Sequence, residues 1–209
     1  METPIFLNPL DEESTSRDYA LGEITQMIDS TEVVLSIAIA YFTYPAITEA
    51  LVRRTKHGRQ TKLLLNTSDI LRPLSSTETE IVISRNLMGL LKLNGPLDVQ
   101  SLGFQSKRDY QNMHHKFMVS PSRLIFGSLN WTHSALHKNF EVVIVSDTPN
   151  LIDSFIREFD NLWAHSEIFF TPNGKVRMIM CPICKTTDCV DFESWGPFCI
   201  QCNHKFRVV

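Results

Sequence analysis

The chain has 209 residues, 43% of them hydrophobic and 21% charged, with a formal net charge of −3. These values fit one globular domain of ordinary size plus a small appendage. The charge excludes a histone-like polybasic binder, although a local basic cleft depends on where charges sit rather than on their sum.

METPIFLNPLDEEST lacks the basic start and apolar core of a signal peptide, and the longest apolar run, VVLSIAIAYF at 33–42, is too short to span a bilayer. A cytoplasmic protein with no membrane partner is therefore expected. In chain order, SRDYALGEITQMI places Leu21, Ile24, Met27 and Ile28 at helical spacing. VVLSIAIAYF, rich in β-branched residues, reads as a buried strand. Pro45 opens a helix through AITEALVRRTKHG that stops at Gly58. RQTKLLLN is a short strand. Ser75 with Glu78 forms a capping box, which predicts a long helix through Leu91. LDVQSL, MHHKFMV, RLIFGS and FEVVIVS read as strands. GFQSKRDYQN (103–112), carrying Lys107 and Arg108, is the loop between the first two, and PNLIDSFIREFDNLWAH is a closing amphipathic helix. The alternation predicts an α/β fold with a largely buried sheet.

Polar residues at every second position stand out in the later strands: His114 and Lys116, Ser128 and Asn130, Asn139 and Glu141. Strand side chains alternate faces, so each pair points one way and His115 and Phe117 point the other. Lys116, Ser128 and Asn130 offer a charge, a hydroxyl and an amide to the oxygens of a phosphate. WTHSALHK, after Asn130, reads as a helical turn whose amino end faces the same anion. His114 remains as a nucleophile or acid–base near neutral pH, with Glu141 able to fix its tautomer.

HHKFMV, then FGSLNWT, then NFE resemble the phospholipase D superfamily, whose mark is HxK, GSxN and a following acidic residue. LSIAIAYFTYPAITEALVRRTKHGRQTKLLL looks like the opening of that fold. The resemblance spans roughly residues 20–165 and is closest to single-motif nucleases of the bacterial endonuclease and Zucchini type. It implies a phospholipase D-like mixed sheet flanked by helices over residues 1–170. It also implies a phosphohistidine on His114, phosphate held by Lys116 and Asn130 with help from Ser128, Glu141 orienting a histidine, and no catalytic metal. Where the family usually has an aspartate five residues after the lysine, this chain has Pro121. Only one HxK is present, whereas the mechanism needs two histidines. The single-motif relatives supply the second by homodimerising about a twofold axis.

All five cysteines fall between residues 181 and 202. Cys181-x-x-Cys184 and Cys199-x-x-Cys202, fourteen residues apart, resemble a zinc ribbon at 171–209 with a structural Zn2+. Cys189 and His204 are spare donors. The leading expectation is a metal-independent nuclease. DNA is favoured over RNA because no aromatic stacking platform is visible near the motif. Family habit adds a defence or restriction role beside a helicase or ATPase partner. The alternatives are a phospholipid phosphodiesterase and a non-catalytic nucleic-acid-binding subunit.

Overall fold

The computed structural model describes residues 1–10, 15–66, 71–73, 78–81, 95–105, 110–170, 190–193, 196–199, 201 and 205–208. Strand β1 (Glu2–Leu7) leads into helix α1 (Thr15–Ser30), then β2 (Leu35–Ile39), α2 (Pro45–Lys56) and β3 (Thr61–Asn66). Two short strands follow, β4 (Leu71–Pro73) and β5 (Glu78–Ile81), before β6 (Leu97–Gln105) and β7 (Tyr110–Asn112). Then come β8 (Lys116–Ser120), β9 (Arg123–Gly127), α3 (His133–Lys138), β10 (Glu141–Ser146), α4 (Pro149–Ala164) and β11 (Glu167–Phe170). The tail contributes β12 (Val190–Glu193), β13 (Gly196–Cys199) and β14 (Lys205–Val208).

The main sheet has nine strands in the order β1-β10-β9-β8-β2-β3-β6-β11, with β7 paired to β6. β2, β3 and β6 run parallel, and the remaining pairs are antiparallel, so the sheet is mixed. Both faces are covered, which explains the unbroken apolar runs. Ile37, Ile39, Leu63, Leu65 and Met118 join the core beneath α1 and α2. Their strand neighbours Ala38, Leu64, Phe117 and Val119 join the core beneath α4, with Ile152 and Phe159. Burying each large apolar side chain contributes about 1.5–3 kcal/mol.

Pro45 occupies the first turn of α2. Gly58, at φ +70°, ends its cap by donating its amide to Thr55 O at 3.0 Å. Such a left-handed cap suits glycine, which has no Cβ to clash. Arg54 on α2 is fully buried. Its guanidinium donates to Thr61 Oγ1 at 2.9 Å and to the carbonyls of Ile28, Thr31, Val33 and Gln60, stitching the end of α1 to β3. Burial and the neighbouring Arg59 push its pKa down to about 10, against the pull of Glu32.

Two sequence expectations are corrected, and one strand was not foreseen. Residues 78–81 of the expected 75–91 helix form β5, which pairs antiparallel with β4 and parallel with β14; the rest of that segment lies outside the described residues. The expected loop at 103–112 is a hairpin in its described part, with Gly103, Phe104 and Gln105 opposite Asn112, Gln111 and Tyr110. β1, not expected as a strand, pairs with β10 along its whole length. A second, five-stranded sheet in the order β12-β13-β14-β5-β4 joins the tail to β4 and β5, which form an insertion between β3 and β6.

Candidate active site

β8 begins at Lys116, β9 ends at Gly127 and β10 begins at Glu141. The pairings Phe117↔Phe126 and Gly127↔Val143 bring these three termini side by side at one end of the sheet. The register places the polar residues together, but most of them sit just beyond the strands. His114 precedes β8, Ser128 and Asn130 follow β9, and Asn139 precedes β10.

The alternation expected around Lys116 is present. His115 turns to the α4 side, where its Nε2 lies 3.5 Å from Glu158 Oε1 and its ring meets Phe117 edge-on. Lys116 folds along the other face and donates Nζ to the His114 carbonyl at 2.6 Å. Burial holds the ammonium below the usual lysine range, opposed by the Glu141 carboxylate. The His114 imidazole is exposed, yet partial burial and then the charges of Lys116 and His115 lower its pKa.

Glu141 gathers two of the other residues. Ser128 Oγ donates to Glu141 Oε2, and Asn139 Nδ2 donates to Oε1 at 3.1 Å. Within one chain the carboxylate thus holds Ser128 and Asn139 rather than the His114 ring. The Val142 amide donates to Ser128 Oγ at 3.0 Å, and the Ser128 amide donates to Val142 O at 3.0 Å. This double bond of backbone to serine needs Gly127: it has φ +155°, and a Cβ there would stand 2.0 Å from Val142 O.

Asn130 is held between the buried Leu129 and Trp131. The Trp131 amide donates to Tyr41 O at 3.0 Å, and its carbonyl accepts from Thr43 and Tyr44, both at 2.9 Å. Trp131 also meets Phe42 edge-on at 5.6 Å. Asn130 Oδ1 is buried and, among the described residues, has no hydrogen-bond partner, an uncommon state for a buried polar atom. α3 has only six residues, and Thr132 Oγ1 accepts from Ala135 N at 3.2 Å, so its first turn is capped from within instead of opening to an anion.

Sequence reading missed an apolar surface beside this site. Phe140, next to Glu141, is 69% exposed, and Phe6, opposite Val142 on β1, is 67% exposed. Single exposed aromatics carry no periodic signal, so nothing in the pattern marks them. A cleft of about 740 Å³ at the opposite ends of the same strands, lined by Ser120, Arg123, Ser146 and Asp147, holds none of the motif residues. Of the four cysteines expected to hold zinc, Cys199 ends β13, while Cys181, Cys184 and Cys202 lie outside the described residues.

A two-sided mixed sheet carrying HxK and GSxN at adjacent strand ends defines a phospholipase D-like protein. A family model described as cardiolipin synthase, PLD-like domain, matches residues 24–163, and the chain belongs to this phospholipase D-like family. Among curated proteins it is similar to mitochondrial cardiolipin hydrolase of Danio rerio, 47% identical over 57 residues, covering 27% of this chain and 25% of the relative. The human protein of that name is 26% identical over 145 residues, covering 69% of this chain and 51% of the relative. The chain thus spans from a quarter to about half the length of these curated relatives. Among solved structures, NucT from Helicobacter pylori matches with a TM-score of 0.65 at 20% identity, over 81% of this chain and 99% of that one. Nuc from Salmonella typhimurium, described as a phospholipase D family member, matches with a TM-score of 0.57 at 19% identity, over 82% and 99%. These two show a shared fold. Among the described residues, no helix is long and apolar enough to cross a membrane.

Proposed function

We propose that the protein is a phosphodiesterase that cleaves nucleic acid, with DNA the favoured substrate, through a phosphohistidine on His114 in a homodimer. The observation that carries this reading is the gathering of Lys116, Ser128, Asn139 and Glu141 at the adjacent ends of β8, β9 and β10, with His114 at the rim. Lys116, Ser128 and Asn130 bind the non-bridging oxygens, where charge grows in the transition state. A neutral His114 nitrogen bonds to phosphorus as the bond to the leaving oxygen breaks. The His114 of the second chain gives that oxygen its proton. Water then attacks the phosphohistidine, the P–N bond breaks, and the water's proton passes to the second imidazole. Two identical histidines sharing one phosphate titrate as a pair, and a bell-shaped pH profile follows. The unpaired Asn130 Oδ1 supports a site completed from outside the chain.

The four thiolates of Cys181, Cys184, Cys199 and Cys202 are the donor set that zinc prefers. In this proposal the ion orders the tail and takes no part in the chemistry. A helicase or ATPase partner remains part of the proposal and rests on family habit.

A lipid phosphodiesterase is the second reading, favoured by the exposed Phe6 and Phe140 and by the names of the curated relatives. The test is brief incubation in EDTA with single- and double-stranded DNA, RNA and cardiolipin vesicles, comparing wild type with His114→Ala. Polynucleotide cleavage that survives EDTA and disappears in the variant is the expected result. Cleavage of the lipid alone would transfer the site to the second reading.

A further inference from the structure

The same end of the sheet carries a second group of cation-forming side chains, outside the residues that hold the reacting phosphate. Arg17 comes from the first turn of α1, Tyr44 from the entrance to α2, and His133 and His137 from successive turns of α3. The His133 and His137 rings stack 4.2 Å apart at 18°. The Tyr44 hydroxyl and His137 Nε2 are 3.3 Å apart. Arg17 Nε is buried and, among the described residues, has no hydrogen-bond partner.

An unpaired guanidinium N–H in a buried position is costly, and acceptors supplied by a ligand remove that cost. The charges around His137 point the same way. Burial, then Arg17, then His133 lower its pKa, and only Asp18 opposes them. Among the described residues, more cation-forming groups than carboxylates thus act on His137, an arrangement that suits an anion placed beside it. The cluster is fastened to the active site, because the Trp131 carbonyl that follows Asn130 accepts the Thr43 and Tyr44 amides. His133 is three residues from Asn130, a span of at most about 10 Å. Successive phosphates of one strand are separated by less than that span, so two neighbouring phosphates of a polynucleotide can reach both places.

We propose that Arg17, Tyr44, His133 and His137 form a subsite for a phosphate flanking the one that is cut, so that the enzyme grips a polynucleotide at two or more phosphates. The proposal rests on the nuclease reading. Arg17 and the two histidines supply charge and N–H donors, and Tyr44 supplies a hydroxyl. None of them touches the reacting phosphorus, so their contribution goes to binding.

The test compares an oligonucleotide with bis(4-nitrophenyl) phosphate, a diester with one phosphate and no flanking group. Arg17→Gln should raise KM for the oligonucleotide about tenfold, the size of one charge-assisted contact. It should leave kcat and both constants for the small diester unchanged, and Arg17→Lys should recover most of the loss. The slope of log affinity against log salt should fall by about one. If Arg17→Gln does not fold, His133→Gln, at an exposed position, reads the same subsite. Equal losses on both substrates would overturn the subsite, as would unchanged oligonucleotide kinetics. A loss confined to cardiolipin vesicles would overturn it in favour of a lipid headgroup. A wild type that cuts the small diester but no polynucleotide would remove the nuclease reading itself.

Discussion

At the scale of single residues, the surroundings of His114 within one chain favour its neutral form. Burial disfavours its imidazolium, and Lys116 and His115 add positive charge nearby. Its pKa in the fold therefore lies below the ordinary imidazole value, which favours the neutral form that the proposed attack on phosphorus needs. Activity should fall as pH drops through that lowered pKa, because protonation removes the nucleophile. Lys116→Gln deletes one of the repelling charges, so the acid limb of the pH–rate profile should move upward while kcat falls at least about a hundredfold through lost phosphate binding. A limb that stays in place would mean that Lys116 does not govern the histidine. The candidate residues were readable in the sequence from their paired spacing, although only Lys116 and Glu141 prove to lie within strands. The partners of Glu141 were not, since Ser128 lies thirteen residues away and reaches the carboxylate only after β9 and β10 pair.

At the scale of elements, Gly127 shows how a motif position serves backbone approach rather than chemistry. Gly127→Ala places a methyl on the Val142 carbonyl, so β9 and β10 must part where Ser128 and Glu141 meet. The expected result is destabilisation of about 2 kcal/mol or more, with kcat falling more than KM rises, as read by denaturant unfolding and steady-state kinetics. Retained stability and activity would show that the strand ends are looser than the structure has them. The elements that sequence reading missed each carry a weak or misleading local signal. Ser75 and Glu78 match a helix-start pattern, yet Glu78–Ile81 is a strand whose partner, Lys205–Val208, comes more than a hundred residues later. β1 contains Pro4, a residue that sheets admit at their edges, and β1 is an edge strand here. Its period-two signal is short: Ile5 and Leu7 are buried and Phe6 is exposed. The β6–β7 pairing was hidden by the polar composition of GFQSKRDYQN, which reads as a loop. Arg54 carries a charge on a helix face that the pattern assigns to solvent, and only the ring of carbonyls around it explains its burial.

At the scale of the molecule, one HxK per chain makes the proposed active site a property of two chains. In a mixture of equal amounts of wild type and His114→Ala, random pairing leaves about a quarter of dimers with both histidines. Activity after subunit exchange should fall to about that fraction of the wild-type value at equal total protein, and specific activity should decline on dilution. Half the activity, linear in the wild-type fraction, would show that a single chain suffices.

The family was legible in the sequence alone through its HxK and GSxN motifs, and most of the strand–helix alternation through local periodicity, because both are written in short stretches of chain. The pairing of the tail with the insertion, the Glu141 bonds to Ser128 and Asn139, and the Arg17–His137 cluster were decided by the tertiary structure. Each joins segments distant along the chain, and such contacts become specific only when sheet order and register place those segments side by side.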